Sequence, residues 1–161
     1  MADTVNKYLV FSLGSERYGV PISKVREVIR HEVISPVHNA STYLKGVINL
    51  RGKIVPIIDM RLKFGMAGLD YNDRTVFVIV EVNGAKELYS FGIAVDSVHE
   101  VANIADSEVE KLPDVGFRTK CTYLQGIAKV GGTMVMILDI DRVLNSEDVV
   151  DLSGIDLAVG S

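Results

Sequence analysis

The sequence predicts a mainly β protein built as two small antiparallel barrels packed on each other. Three observations point there. Tyr43 to Arg61 reads as two strands folded back over a tight turn at Arg51-Gly52, and its flanking runs, Val47-Ile48-Asn49-Leu50 and Ile54-Val55-Pro56-Ile57-Ile58, are rich in β-branched residues and too short for helices. The same pattern returns from Tyr123 to Arg142. Tyr43/Tyr123, Gly46/Gly126, Gly52/Gly132 and Asp59/Asp139 are each 80 residues apart, and seven of the twenty positions in 43–62 and 123–142 are identical. Chance would give about one or two, so this is a duplicated structural unit. Third, other apolar runs are short and punctuated by glycine-bearing turns, which suits small barrels.

The elements follow in order. Tyr8 to Leu13 is a strand, Gly14-Ser15-Glu16 a turn, and Arg17 to Pro21 the returning strand. Ile22 to Arg30 is expected to form a short amphipathic helix: Ile22, Val25, Val28 and Ile29 share one arc of the wheel, the charged residues take the other, and Ser23 caps the start. Val33 to Val37 is extended ahead of and through Pro36. After the hairpin, Asp59 caps a helix of one to two turns, Met60 to Phe64, which Gly65 closes. The polar connector from Ala67 to Asp73 marks the boundary between lobes.

The second half repeats this plan. Thr75 to Val82 and Leu88 to Val95 are strands around a turn at Asn83-Gly84. Tyr18-Gly19-Val20 and Val25-Arg26-Glu27-Val28 align with Phe91-Gly92-Ile93 and Val98-His99-Glu100-Val101 at an offset of 73. Asp96 then caps a second short helix where Ser23 caps the first. A longer loop between Ile104 and Lys120, containing Pro113 and Gly116, takes the offset to 80. The lobes are expected at about 8–66 and 74–145, with the N-terminal strand free to cross between them, and 146–161 is expected to be a helical or frayed tail. Pro56 lies within a strand, which places that strand at an exposed edge or a bulge; Met136 replaces it in the second copy.

At 161 residues the chain suits one domain or two lobes sharing a core; each lobe alone is marginal, so the two pack together. The net charge of −4 without a basic block argues against nucleic acid and anionic membrane as partners. Cys121 is the sole cysteine, which leaves no disulfide framework or cysteine-rich metal site. MADTVNKY has no basic region followed by an apolar stretch, and no run reaches membrane-spanning length, so a soluble protein of a reducing compartment is expected.

Little here points to chemistry. His31, His38 and His99 lack metal-ligand spacing and read as surface residues. Asp59 and Asp139 could share a proton at an interface between lobes, but their place just before short helices favours capping. Gly131-Gly132-Thr133 has no following lysine and is a turn, not a phosphate loop. Arg51 tops a hairpin whose turn needs no charge, while the second copy has Gly131 there. A solvated turn arginine is the plainer reading; a binding arginine is the sharper one. Duplicated lobes with edge strands and no catalytic set suggest an interaction module, with the strand edges and the groove between lobes as contact surfaces.

The segments LVFSLG, RYGVPISKVREV, LKGVINLRGKIVPIIDMRLKF, YNDRTVFVIVEV and FGIAVDSVHEV closely resemble the CheW-type chemotaxis coupling proteins, from about Tyr8 to Leu144. G-V-I-N-L-R-G followed by P-I-I-D is specific to that family. The resemblance implies a single CheW-like domain over 1–161: two SH3-like five-stranded β-barrel lobes with a hydrophobic seam. It implies a non-catalytic adaptor, without metal or cofactor, that joins the helical tip of transmembrane chemoreceptors to the regulatory domain of the histidine kinase CheA. Such a protein is cytoplasmic, monomeric when free, and recruited to receptor arrays. By position in the matching motifs, Val25, Glu27, Arg51, Val76 and Val101 would meet the receptor, and Gly46 and Ile54 the kinase. Val25, Val76 and Val101 read equally well as core residues. The rival readings are a coupler of a non-flagellar pathway, a small-ligand binder in the groove, and an unspecified interaction module.

Overall fold

The computed structural model describes residues 3–38, 42–83, 87–111 and 123–144. The loop with Pro113 and Gly116, Cys121, Gly84 and the tail from 145 onward lie outside these residues. Among the described residues ten strands form two five-stranded sheets. Sheet I has the order β8-β1-β2-β10-β9 and sheet II the order β3-β6-β7-β5-β4. The strands are β1 Val5–Leu13, β2 Glu16–Pro21, β3 Val25–Arg30, β4 Leu44–Leu50, β5 Lys53–Asp59, β6 Val76–Asn83, β7 Leu88–Val95, β8 Ser97–Ala105, β9 Leu124–Val130 and β10 Thr133–Leu138. Two one-turn helices, α1 Met60–Lys63 and α2 Ile140–Val143, follow the two repeated hairpins.

The expected helix over Ile22–Arg30 is not there. A single 3₁₀ turn, Ile22–Lys24, leads directly into β3, and Ser23 makes no cap. The second expected helix is likewise a strand, β8, and Asp96 is not a helix cap. Both strands carry a β-bulge at the same place. Val25 and Glu27 pair with consecutive residues Val80 and Ile79, leaving Arg26 extra; Val98 and Glu100 pair with Phe11 and Val10, leaving His99 extra. Burial in β3 nevertheless keeps a two-residue period: Val25, Glu27 and Ile29 are partly buried, while Arg26, Val28 and Arg30 are exposed. An apolar residue on the outer side, Val28, and an acid on the inner side, Glu27, together give the sequence the spacing of a helix face.

Exchange between the repeats joins the two sheets. β1–β2 of the first repeat lies between β8 and the β10–β9 hairpin of the second, pairing with β8 and β10, and β6–β7 of the second lies between β3 and the β5–β4 hairpin of the first, pairing with β3 and β5. The halves read from the sequence are therefore units of sequence, and neither sheet is built from one half alone. Glycine permits the close parallel pairings: Gly19 lies opposite Ile137 and Gly92 opposite Ile57. β5 runs between β7 and β4, so Pro56 is not on an exposed edge. It stands where the parallel ladder with β7 begins at Ile57, and a residue without an N–H starts no bond there. In the second copy Met136 has its N–H, and that ladder extends back through Met136 to Val135.

Beyond each margin strand the chain makes one isolated bridge to the other margin: Ser35, after β3, with Val47 of β4 in sheet II, and Glu110, after β8, with Ile127 of β9 in sheet I, so each sheet curls. Inside each curl lies an apolar cluster: Ile48, Ile57, Phe77 and Ile79 in one, Val10, Ile104, Val135 and Ile137 in the other. A third and larger cluster fills the seam, with Leu9, Phe11 and Leu13 facing Val78, Val80, Phe91 and Ile93. β1 and β6 thus send alternate side chains to different clusters, which explains their nearly continuous apolar sequences. Phe64, just after α1, stacks on Tyr123 with centroids 4.7 Å apart and leans on Tyr18 at 5.4 Å, so an aromatic row crosses the seam.

The chain passes from one sheet to the other at two places, Ile22–Lys24 and Asp96, and both carry a charged clamp. Arg61 of α1 holds the Asp96 carboxylate with two hydrogen bonds, of 2.8 and 2.6 Å, and the Gly14 N–H donates to the same carboxylate at 2.7 Å. On the other side Lys24 contacts Asp141 of α2 at 2.9 Å, and the Asn83 N–H donates to Asp141 at 2.9 Å. The polarity is reversed: the acid sits on the crossing in one clamp and on the helix in the other. Ion pairs this exposed contribute about 0–1 kcal/mol, against about 1.5–3 kcal/mol for each large apolar side chain fully buried. The seam supplies the cohesion, and the clamps fix which groups meet.

Candidate interaction site

Arg51 and Gly52 form the two-residue turn between β4 and β5 with φ of 51° and 85°, and the Asn49 side chain accepts the Gly52 N–H at 2.9 Å. Arg51 is the single described non-glycine residue with positive φ. Its guanidinium reaches across the curl of sheet II to Glu27 on β3, at the opposite margin, and the two form a hydrogen-bonded ion pair. Glu27's hydrogen bond, then its charge, raises the Arg51 pKa above its ordinary value. Arg51 stays 70% exposed while Glu27 is 27% exposed. The bulge at Arg26 sets Glu27 in place to receive it.

The other expected contact residues divide. Val25 and Val76 are half-buried and pack on the seam cluster, so each is part core and part surface. Val101 is 49% exposed, but it lies on β8 of sheet I, and the structure does not bring it into the same sheet as Glu27. Its counterpart in sheet II is Val28, 43% exposed beside Glu27, which a helical reading of 22–30 had turned inward. Plain strand alternation from Val25 would have found it. Ile54 is half-buried opposite Asn49 on the outermost hairpin of sheet II. Gly46 is buried in that hairpin, with φ of 148°, and a Cβ there would lie 2.1 Å from the Ser35 carbonyl oxygen. Its first role is to let the margin bridge close.

The carboxylates cap, as expected, and do not meet each other. Asp59, 2% exposed, accepts the Leu62 N–H at 3.1 Å and the Tyr71 hydroxyl at 2.8 Å. Burial, then the bond to Asp59, pushes the Tyr71 hydroxyl well above its usual range. Asp139 accepts the Arg142 N–H at the head of α2. His38 and His99 are on the surface, but His31 is half-buried, edge-on to Tyr71 and Phe77 with centroids 5.9 and 6.1 Å away. The aromatic partners lie forty or more residues downstream, so local sequence gave no sign of this packing. A polar cavity of about 270 Å³ lies between the 69–75 connector, α1 and the β7–β8 crossing, lined by Asp59, Arg61, Tyr71, Arg74 and Asp96 among others. Arg61, Asp59 and Asp96 there are already partnered. Among the described residues no group of three or more His, Cys, Asp or Glu could hold a metal ion. No helix among them is long and apolar enough to cross a membrane.

The CheW-like domain profile matches residues 7–148. The chain is 35% identical over 142 residues to the chemotaxis protein CheW of Klebsiella aerogenes, covering 88% of this chain and 83% of that one. It is 28% identical over 140 residues to the chemotaxis protein CheW of Rhizobium meliloti, covering 87% and 88%. The crystal structure of the scaffolding protein TtCheW from Thermoanaerobacter tengcongensis superposes with a TM-score of 0.78 at 34% identity, over 88% of this chain and 94% of that one.

Proposed function

This chain belongs to the CheW-like family of chemotaxis coupling proteins, and from that premise we propose that it is a non-catalytic adaptor linking the cytoplasmic tip of transmembrane chemoreceptors to the histidine kinase CheA. The observation that carries this reading is the Glu27–Arg51 pair. It is an exposed, oriented charge pair flanked by half-exposed apolar side chains, on a rigid sheet and away from any cluster of reactive groups. Such a surface suits binding: apolar burial gives affinity, and the charges give register and association rate. In this reading Val25, Glu27, Arg51, Val76 and Val101 contact the receptor helices across the seam. The β4–β5 hairpin, with Gly46 and Ile54, meets the regulatory domain of the kinase. The protein works in the cytoplasm at the receptor array.

Co-sedimentation with receptor-containing membranes, with and without CheA, tests this. The adaptor should pellet with receptors, bring the kinase with it and raise its autophosphorylation. Arg51→Ala should keep the fold and weaken receptor binding. A chain that pellets with neither partner would defeat the reading.

A further inference from the structure

The two sheets are superimposable plans, which allows the binding residues of one to be carried to the other. At an offset of 73, Glu27 corresponds to Glu100 and Val28 to Val101; each acid follows the bulged residue of its strand, and each valine is about half exposed. At an offset of 80, the Arg51-Gly52 turn corresponds to Gly131-Gly132, and the backbones agree: φ is 51° and 85° in one, 57° and 83° in the other. What differs is the side chain. Sheet II answers Glu27 with its own Arg51. Sheet I presents Glu100, exposed and without a described ion pair or side-chain hydrogen bond, and its corresponding turn carries two glycines and no cation. A Cβ built at Gly131 meets nothing within 4 Å.

We infer that Glu100 is the docking point for an arginine or lysine of a partner, which approaches over the Gly131-Gly132 turn while an apolar neighbour on the same partner helix covers Val101. The Glu27–Arg51 pair is the internal template: the same acid, bulge and turn already accept a guanidinium once in this molecule. The sheet I acid is exposed on an outermost strand, so the cation it lacks internally can arrive from outside. The inference rests on the adaptor reading, which places the receptor tip beside Val101, and it adds the charge of the group that the tip must bring.

The test measures binding of the full chain to a soluble receptor signalling fragment. Glu100→Gln should weaken binding about tenfold and flatten its dependence on salt, as loss of a charged contact does. Gly131→Arg should also weaken it, by supplying an internal cation that competes with the partner's; Arg51 shows that an arginine is accommodated at this φ. In the Glu100→Gln background, Gly131→Arg should have no further effect. Binding to CheA should be unchanged in all three variants, and circular dichroism melting should show them folded. Wild-type affinity of Glu100→Gln, in an assay where Arg51→Ala is weakened, overturns the inference and leaves the adaptor reading standing. Failure of the unaltered chain to bind the fragment defeats the adaptor reading itself, and the inference with it.

Discussion

Sheets I and II share strand order, a bulge in the third strand of the repeat and a glycine at the bridge between margins, yet they are finished with different side chains. Sheet II has its own finish: Arg51 spans its margins, Pro56 stops its parallel ladder short at Ile57, and Tyr71 from the connector seals Asp59. Sheet I has Gly131, Met136 and a more exposed Asp139 at those places. Even the clamps are inverted in sign. Positions that keep the backbone closed are repeated; positions that face outward or across the seam have diverged. Duplication supplied a common scaffold, and the difference between copies marks where each acquired its own contacts.

The largest expected effect concerns the margin bridges. Gly46→Ala puts a Cβ 2.1 Å from the Ser35 carbonyl oxygen at a φ of 148°. Strain plus overpacking should cost about 4 kcal/mol in urea unfolding. Gly126→Ala meets the Glu110 oxygen at 2.6 Å without a positive φ and should cost less. Equal losses would erase this distinction between the sheets. It also bears on Gly46→Asp, which should unfold the hairpin before it reports on kinase contact.

Next come the capping acids. Asp59→Ala removes a cap and leaves the half-buried Tyr71 hydroxyl without its acceptor, a loss of about 3 kcal/mol. Asp139→Ala loses a cap and an exposed ion pair with Arg142, about 1 kcal/mol together. Thermal melts of the two variants and of Tyr71→Phe would show whether the hydroxyl accounts for the gap. A Tyr71→Phe variant as stable as wild type would remove that explanation.

The clamps should differ in pH response. Hydrogen bonds from Arg61 foremost, opposed by burial and helped by the Gly14 N–H, hold the Asp96 carboxyl below the usual carboxylate range. A lowered folded-state pKa lends stability that is present above the ordinary carboxylate range and lost as pH falls through the lowered value. Asp96→Asn should therefore be less stable than wild type at neutral pH, by about 1 kcal/mol, with the gap closing on acidification. Asp141→Asn, facing a single ammonium contact, should lose less at neutral pH. A gap for Asp96→Asn that stays constant from pH 7 to about 2 would contradict this account. The smallest stability effect belongs to Arg51→Ala, which should melt with wild type because its guanidinium is exposed at a turn; a clear drop would mean that the pair holds sheet II together.

Much of this fold was legible in the sequence, for local reasons. Gly14, Gly52 and Gly132 mark turns, β-branched runs mark strands, and Asp59 and Asp139 mark helix starts. Residues 22–30 were misread because Val28 is apolar but faces outward and Glu27 is charged but faces inward, so hydrophobicity does not follow the two-residue burial period of β3. Strand exchange was hidden because a repeat shows what was duplicated, not which strands pair. The site was half legible. Arg51 stood out as an unneeded charge, but its partner Glu27 lies across a curled sheet, and Glu100 gains meaning only once the two sheets are aligned in space.

The path of the chain through its sheets also orders its synthesis. Sheet II is one uninterrupted stretch, β3 to β7, whereas sheet I is split, with β1 and β2 ahead of that stretch and β8 to β10 behind it. On the ribosome, sheet II has all its strands once Val95 has emerged. The β1–β2 hairpin, made first, must wait for Ser97 to Leu138 before its neighbours exist. Until then the seam-facing Leu9, Phe11 and Leu13 have only the half-built sheet II to cover them. Contacts this distant in sequence form slowly, and a chain stalled near residue 96 would carry a complete sheet II and an orphan hairpin, the species most exposed to chaperones and to aggregation.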